Sequence, residues 1–308
     1  HRDLHSFPTR RSSDLVGIFA PAGIPDPEKL AAGLEQLRAW GLEPVFPGRD
    51  DLPERFLAAA DACRRQRLHE LLADPRVDLL LAARGGYGCA RLLDGLDWPR
   101  FLERNLPLIG YSDLTALQAA AYARGYRRGV FGPMLTGDFA RRPAAGEADL
   151  LAGVFASLRA VLSGQPQTFT DLESLRPGTA AGPLFPANLS VLASLVGTPD
   201  LPDLAGTILV LEDVGEAAYR IDRYLHQLDQ AGALRGVAGL VFGQFSRTED
   251  EHWLSPVLAD FAARIAGPVA AGLAFGHAFP SCSLPVGAPA RLEPAAAGRL
   301  QLVAAPRP

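Results

Sequence analysis

Short apolar runs alternate with helical patterns from residue 16 to about residue 134, and this alternation limits the possible folds more than any other feature of the sequence. The runs typical of buried strands are residues 16–20, 44–46, 77–83 and 106–110. Helical spacing is seen over residues 27–40, 52–72 and 114–124. Such alternation predicts a parallel sheet with helices on both faces, and binding sites in these sheets lie beyond the carboxyl ends of the strands.

Ser112 follows the apolar run 106–110 and precedes the helix predicted from Leu114. A serine at this point presents its hydroxyl at the edge of the sheet, beside the unpaired N–H groups of a helix start, which is a suitable position for a nucleophile. Because serine is also a favoured N-cap, helix capping is the alternative interpretation. The lipase-type Gly-x-Ser-x-Gly elbow is incomplete, since Leu114 stands at its last glycine position, and this disfavours an ordinary α/β-hydrolase.

A glycine-rich turn, residues 84–88, follows the apolar run 77–83. If that run and the one at 106–110 are neighbouring parallel strands, their C-terminal turns lie side by side. Main-chain N–H groups of the glycine turn would then face the group that Ser112 attacks. The glycine spacing matches neither a Rossmann motif nor a P-loop, so a phosphate cradle is the weaker interpretation.

Serine attack needs a base, and the chain has 6 histidines to compare. Five of them lie in the leader, in predicted helices or in an acidic loop, namely His1, His5, His69, His226 and His252. His277 remains, because it follows an apolar run and Gly276 at a predicted strand end. The alternative is a loop histidine without a ligand.

An orienting carboxylate is expected near that base, and Glu212 and Asp213 end the apolar strand 207–211. Charged residues seldom end such a run without a partner. We choose Glu212, with Asp213 and Glu216 as competitors that spacing does not exclude. Acidic residues at a helix N-terminus are the alternative explanation.

Composition argues against several classes of function. The net charge of -4 and the pI near 5.9 disfavour a nucleic-acid partner. The 3 cysteines lack metal-ligand spacing and are odd in number, which predicts no metal site, no disulfide framework and a reducing, cytoplasmic location. No apolar run approaches the roughly 18 residues that span a bilayer. We expect a soluble protein without a cofactor.

The chain is predicted to contain a leader and two domains. Residues 1–15 lack apolar periodicity and resemble a translated sequencing adapter, so we expect a non-native, disordered leader. A polar segment with Pro and Gly, residues 164–178, follows the helix predicted at 148–162 and marks a boundary between domains 16–165 and 166–308. The second domain has strands at 206–211 and 237–242, a helix at 219–234 and a tail of irregular strands and loops at 268–289.

Several segments resemble the LD-carboxypeptidase family of serine peptidases, which includes the microcin C immunity-type hydrolases. The matching segments are residues 16–23, 83–88, 109–117, 211–216 and 219–223 and the pair Gly276 and His277. Each is weak alone, but the ordered set is specific. The resemblance implies an α/β/α N-terminal domain with a parallel sheet, of the class I glutamine amidotransferase-like or flavodoxin-like type. It also implies a smaller, β-rich C-terminal domain of the swivelling β/β/α type, commonly in a homodimer.

The resemblance also implies the site residues. Ser112 corresponds to the nucleophile, His277 to the base and Glu212 to the acid that orients it, with the three meeting at the junction of the domains. An oxyanion hole of main-chain N–H groups is implied, and we place it at Gly86 and Asp113.

The substrate that the family implies is a murein tetrapeptide, cleaved between a diamino acid and the terminal D-alanine. Arg84 is our candidate for binding the free terminal carboxylate. One rival substrate is a peptidyl-nucleotide of the microcin type, for which Trp253 is the aromatic candidate. The other rival is a catalytically inert, amidotransferase-like binding module.

Two positions depart from the family pattern. Phe131 stands where a histidine is expected before Gly-Pro, and Pro186 and Ala187 replace the usual Gly-Gly before Asn188. The second change predicts an altered loop, because proline cannot adopt the backbone angles open to glycine.

Overall fold

The structure, a computed structural model, describes residues 15–48, 50–293 and 298–302. Residues 1–14 of the predicted leader lie outside this range. Leu15, which we assigned to the leader, is buried as the first residue of the first strand.

Thirteen strands and eight α-helices are present in the described part of the chain. The strands are β1 (Leu15–Phe19), β2 (Glu43–Val45), β3 (Val77–Ala82), β4 (Leu108–Ile109), β5 (Gly129–Phe131), β6 (Gln167–Arg176), β7 (Ala180–Asn188), β8 (Ile208–Val214), β9 (Gly239–Ser246), β10 (Val269–Ala271), β11 (Leu284–Pro285), β12 (Pro289–Glu293) and β13 (Gly298–Leu302). The helices are α1 (Pro27–Ala39), α2 (Asp61–Ala73), α3 (Trp98–Arg104), α4 (Thr115–Ala123), α5 (Ala148–Leu162), α6 (Leu189–Ser194), α7 (Ala218–Gln230) and α8 (Leu254–Arg264). Short 3-10 helices span Cys89–Leu92, Ser112–Leu114, Asp138–Ala140 and Glu251–Trp253.

The first sheet has the strand order β11-β5-β4-β3-β1-β2. Strands β1 to β5 are parallel, and β11 joins β5 in the antiparallel direction. Side chains alternate between the two faces of β1, with Val16 and Ile18 packed in a cluster with residues of α1 and α5, and Phe19 in a cluster with residues of α2 and α4. This is the predicted α/β/α arrangement. Strands β3 and β4 are neighbours, which confirms that the glycine turn and the serine turn lie side by side.

Seven strands close a barrel in the order β10-β6-β13-β12-β7-β8-β9. Strands β7 to β10 form its parallel part, and β6, β12 and β13 complete it in the antiparallel direction. One apolar cluster of barrel side chains includes Leu184, Ile208, Val210, Val241 and Leu292. The apolar cluster that contains Phe19 continues into this region and joins helices α6, α7 and α8 to the strands through residues such as Leu192, Leu225, Phe261 and Leu209. The fold is therefore α/β, with a second, β-rich region.

Two local predictions were wrong, and one strand was not predicted. The helix predicted at 52–72 begins only at Asp61, because the chain before it forms a bridge between Leu57 and Gly23. The polar segment 164–178, for which no strand was predicted, contains the ten-residue strand β6. Pro186 and Ala187 lie within β7 opposite β8, so the expected loop is an extended strand, whose φ suits proline.

The helix predicted at 148–162 has the same bounds as α5. We propose that two domains meet after α5, at residues 165 and 166, because the barrel strands begin at β6 while α5 packs with the first sheet. Strand β11 returns from the second half to the first sheet. None of the helices described is long and apolar enough to cross a membrane.

Candidate active site

Ser112 lies in a tight turn directly after β4. Its φ of 63° is in the left-handed region, where residues other than glycine are rare and strained. Gly110 precedes it with a φ of 150°, and a Cβ at Gly110 would lie 2.7 Å from Leu114 Cδ2. The cap positions of the 3-10 helix and of α4 are held by Tyr111 and Leu114, so Ser112 is not an N-cap. A strained serine at a sheet edge is typical of a nucleophile turn.

The glycine turn after β3 lies against Ser112. A Cβ added to Gly85 would lie 2.9 Å from Ser112 Cβ and 3.0 Å from Ser112 Oγ. From the sequence we named Gly86 and missed this contact of Gly85. The available signal was that Gly85 is the first glycine after β3, and that β3 was expected to be the neighbour of the strand that precedes Ser112. In the part of the chain that the structure describes, the Gly86 N–H donates to no main-chain carbonyl.

Two buried side chains hold the glycine turn at its far end. The guanidinium of Arg64 donates to Gly88 O at 3.1 Å and also to the carbonyl of Pro21. The carboxylate of Asp113 accepts from the Cys89 N–H at 2.7 Å, and burial raises the pKa of this carboxyl. We predicted a contribution from the main-chain N–H of Asp113, and its side chain has the additional task of fixing the turn beside Ser112.

Glu212 and His277 form a hydrogen-bonded pair. His277 Nδ1 lies 2.7 Å from Glu212 Oε2, with the Glu212 side chain fully buried and the His277 side chain 17% exposed. Burial raises the pKa of Glu212, and the hydrogen bond from His277 opposes that rise. Gly276 has a φ of 129°, and a Cβ there would lie 2.7 Å from Glu212 Oε2. Glycine is therefore required where this chain segment passes close to the Glu212 side chain. His277 lies in the loop after β10, which ends at Ala271, rather than at the predicted strand end.

The two competing acids have other partners. The Asp213 carboxylate accepts from the Ser190 and Val214 N–H groups, each at 2.8 Å. Glu216 pairs with Arg220 at 3.5 Å. Among the three acids, the described contacts of His277 select Glu212.

Asn188 joins the serine side of the site to the acid. Its side-chain N–H groups donate to Glu212 Oε1 at 3.1 Å and to Asp213 Oδ1 at 3.0 Å. Its main-chain N–H donates to Thr115 Oγ1 at 3.0 Å, at the start of α4. We noted Asn188 in the sequence only as part of a presumed loop. Its position at the end of β7, opposite Glu212 in the parallel register, is the feature that brings it there.

His277 lies beside the serine turn, and Tyr111 is the point of contact. The two ring centroids are 4.9 Å apart with an interplanar angle of 72°. Ser112 Oγ and His277 share no hydrogen bond in the described residues, and catalytic hydrogen bonds often tighten only in the substrate complex. Phe131, where a histidine was expected, packs against Tyr111 and Phe275 at centroid distances of 5.5 and 4.2 Å.

An open cleft of about 580 Å³ adjoins the glycine turn. It is lined by Gly23, Ile24, Phe56, Arg84, Gly86 and Tyr87. Arg84 is exposed and donates to Ile24 O at 2.6 Å. Of the predicted substrate-binding residues, Arg84 and Gly86 thus line this cleft, while Asp113 lies beneath the turn.

No group of His, Cys, Asp or Glu side chains among the described residues has the arrangement of a metal site. The described part of this region contains a serine at a strained turn, an imidazole hydrogen-bonded to a buried carboxylate, and a glycine turn in which the Gly86 N–H donates to no main-chain carbonyl. Groups of these kinds, when they converge on one substrate, can carry out nucleophilic acyl transfer.

Two family models match the chain. The LD-carboxypeptidase N-terminal domain matches residues 16–132, and the LD-carboxypeptidase C-terminal domain matches residues 181–292. A putative carboxypeptidase of Streptomyces coelicolor is 40% identical over 90% of each chain. The murein tetrapeptide carboxypeptidase of Pseudomonas aeruginosa is 33% identical over 90% of this chain and 92% of its own.

Solved structures have the same fold. The muramoyltetrapeptide carboxypeptidase from Oxalobacter formigenes superposes with a TM-score of 0.85 at 29% identity, covering 95% of this chain and 100% of that one. The microcin C7 self immunity protein MccF in complex with aspartyl sulfamoyl adenosine has a TM-score of 0.85 at 20% identity, covering 98% of each chain. The second likeness extends to the fold alone.

Proposed function

Because the chain belongs to the LD-carboxypeptidase family, we propose that it is a serine carboxypeptidase that releases the terminal D-alanine of murein tetrapeptides. The observation that carries this proposal is the hydrogen bond between His277 and the buried Glu212, beside the strained turn of Ser112. The substrate is supported by the relative from Pseudomonas aeruginosa, which is named a murein tetrapeptide carboxypeptidase.

In the proposed reaction His277 removes the proton of Ser112, and Oγ attacks the carbonyl carbon of the diamino acid. The N–H groups of Gly86 and Asp113 bind the oxyanion of the tetrahedral intermediate, and loss of one such donor costs about 3–4 kcal/mol of transition-state stabilisation. His277 then gives its proton to the departing amine of D-alanine, and water hydrolyses the acyl-enzyme by the same steps. Glu212 accepts from Nδ1–H and so holds the imidazole tautomer.

We assign Arg84 to substrate binding, because an exposed guanidinium beside the glycine turn can pair with a carboxylate of the peptide. We also propose that the enzyme acts in the cytoplasm as a homodimer. The unpaired state of Cys63, Cys89 and Cys282 is compatible with a reducing compartment.

A second candidate function is hydrolysis of an aminoacyl nucleotide. The shared fold with MccF favours including it, and Trp253 is 58% exposed and available to stack on a base. A catalytically inert binding module is the third candidate. The Glu212–His277 hydrogen bond argues against it, because a buried carboxylate directed at a single imidazole is the arrangement expected of a functional site.

The deciding experiment compares the parent protein with Ser112→Ala and a matched control, Ser163→Ala, at the end of α5. Each is incubated with a murein tetrapeptide and, separately, with aspartyl sulfamoyl adenosine. We expect the parent and Ser163→Ala to release D-alanine and Ser112→Ala to release none. No release by the parent, or equal release by parent and Ser112→Ala, would overturn the proposal. Cleavage of the nucleotide alone would select the second candidate.

A further inference from the structure

The cleft and the catalytic histidine lie on opposite sides of Ser112. In the strand order of the first sheet, β4 carries Ser112 between β5 and β3. His277 is on the β5 side, because its ring contacts Tyr111, which in turn packs on Phe131 at the end of β5. The cleft is on the other side, since its lining residues follow β1, β2 and β3.

This arrangement determines which part of a peptide substrate lies on the β5 side of Ser112 and which part lies on the cleft side. In amide hydrolysis the imidazole that took the serine proton delivers it to the leaving amine. The leaving D-alanine therefore lies on the β5 side, within reach of His277. The acyl portion of the substrate is the other substituent of the tetrahedral carbon and extends away from the leaving group, toward the loops that follow β3 and β1.

The size of the cleft agrees with this direction. Its volume of about 580 Å³ lies within the range of about 300–1,000 Å³ that holds drug-sized ligands, whereas one alanine needs far less space. A short peptide is the part of the proposed substrate that matches it.

The walls of the cleft offer both apolar and charged contacts. Phe56 and Tyr87 are 57% and 53% exposed, and their ring centroids lie 5.5 Å apart in an edge-to-face pair. Exposed aromatic rings of this kind provide rigid contact area at a low entropic cost. Arg84 is the cation among the lining residues. A peptide that carries both apolar groups and a carboxylate is complementary to this surface.

We propose that the cleft binds the peptide segment N-terminal to the scissile bond, with Phe56 and Tyr87 as specificity-determining residues and Arg84 as the partner of a carboxylate in that segment. The proposal rests on the proposed carboxypeptidase function. It moves Arg84 from the terminal carboxylate, expected from the sequence, to the acyl portion of the substrate. Binding energy from this remote segment then accelerates cleavage.

The test uses two substrates that share the scissile bond, a murein tetrapeptide and the dipeptide of a diamino acid and D-alanine. The measured quantity is the ratio of their kcat/KM values. For the parent we expect a ratio of about tenfold or more in favour of the tetrapeptide. The double variant Phe56→Leu/Tyr87→Leu should lower this ratio about tenfold, and Arg84→Gln should lower it in the same direction.

Tyr219→Leu is the matched control, because Tyr219 is 55% exposed but lies on α7, outside the cleft. It should keep the parent ratio. The cleft proposal is overturned if the double variant keeps the parent ratio, whether its two kcat/KM values are unchanged or both fall by the same factor. In that case the parent still releases D-alanine in a reaction that depends on Ser112, and only the cleft proposal fails. If the proposed function itself fails, the parent cleaves neither peptide.

Discussion

The two sides of the site are held by different kinds of structure. On the serine side, main-chain geometry fixes the position of the hydroxyl. Ser112 has a φ of 63°, and neither Gly85 nor Gly110 has room for a Cβ. On the acid–base side, hydrogen bonds among buried polar groups connect Asn188, Glu212 and His277. We therefore expect the serine side to lose activity when an atom is added beside Ser112. We expect the acid–base side to lose activity when a hydrogen-bond donor or a charge is removed.

Each side also contains a buried carboxylate whose pKa is raised by burial, Asp113 on the serine side and Glu212 on the acid–base side. Asp113 accepts a hydrogen bond from the Cys89 N–H, for which any oxygen acceptor suffices. Glu212 faces an imidazole that becomes positively charged during the proposed reaction. The same chemical group thus serves as an anchor on one side and as a counter-charge on the other.

The largest expected effect comes from neutralising these two carboxylates separately. Glu212→Gln should lower kcat by about 10⁴-fold, because an amide at this position favours the wrong imidazole tautomer. Asp113→Asn should lower it only a few-fold, because the amide oxygen still accepts from Cys89. Steady-state kinetics on the tetrapeptide provide the measurement. Equal losses in the two variants would contradict the distinction between anchor and counter-charge.

The next effect comes from adding one methyl group beside the nucleophile. Gly85→Ala should lower kcat about 10²-fold, because the new Cβ displaces Ser112 Oγ, from which it would lie 3.0 Å. Gly153→Ala in α5 is the control, since a Cβ there has open space and an alanine favours the helix. The comparison needs single-turnover kinetics and thermal unfolding of both variants. A fully active Gly85→Ala enzyme would show that the serine side tolerates added atoms.

A smaller effect is expected where the two sides are connected. Thr115→Val removes the acceptor of the Asn188 N–H, and a buried N–H without a partner costs about 1–3 kcal/mol of folding stability. Thr115→Ser keeps the oxygen and should retain the stability of the parent more closely. Urea unfolding measures the free energy, and kcat should fall with it by less than the loss in Gly85→Ala. If Thr115→Val and Thr115→Ser lower the free energy of unfolding equally, the hydrogen bond between Asn188 N–H and Thr115 Oγ1 does not stabilise the connection between the two sides.

The smallest effect is a change in how stability depends on pH. Because the pKa of Glu212 is raised in the folded protein, the folded state holds this proton more tightly than the unfolded chain does. The resulting stabilisation is present at low pH and is lost as the pH rises from the ordinary pKa of a glutamate toward the folded value. Glu212→Gln cannot undergo this loss, so its stability relative to the parent should increase with pH.

Thermal unfolding from pH 4 to pH 8 tests this sign. Asp113→Asn should behave in the same direction, since burial is the first cause of its raised pKa as well. Parallel pH profiles for parent and variants would mean that neither carboxyl has a raised pKa in the folded protein.

The sequence predicted the parts of this comparison that depend on local patterns. Apolar runs that end in a polar residue located Ser112 just beyond β4 and Glu212 in the second half of β8, although β8 continues to Val214. The parallel neighbours β3 and β4 followed from the strand–helix alternation. The contact between Glu212 and His277 was also anticipated, although their catalytic roles stay a proposal.

The parts that were missed depend on partners distant in the sequence. Strand β6 is mostly exposed or half-buried, so it lacks the alternating apolar pattern of a strand, and its partners β10 and β13 lie far along the chain. Asn188 has side-chain and main-chain partners on β8 and α4, which no spacing within the sequence reveals. Gly85 and Gly86 are identical neighbouring residues in the sequence. The positions of β3 and β4 in the sheet determine that Gly85 is the one in contact with Ser112.

Strand β11 has a mechanical consequence. After leaving the barrel and passing His277, the chain pairs Leu284 with Phe131 at the edge of the first sheet before β12 returns to the barrel. The chain therefore passes from the barrel to the first sheet and back on either side of β11, and a hinge motion that separates the two halves would have to break the pairing of β11 with β5.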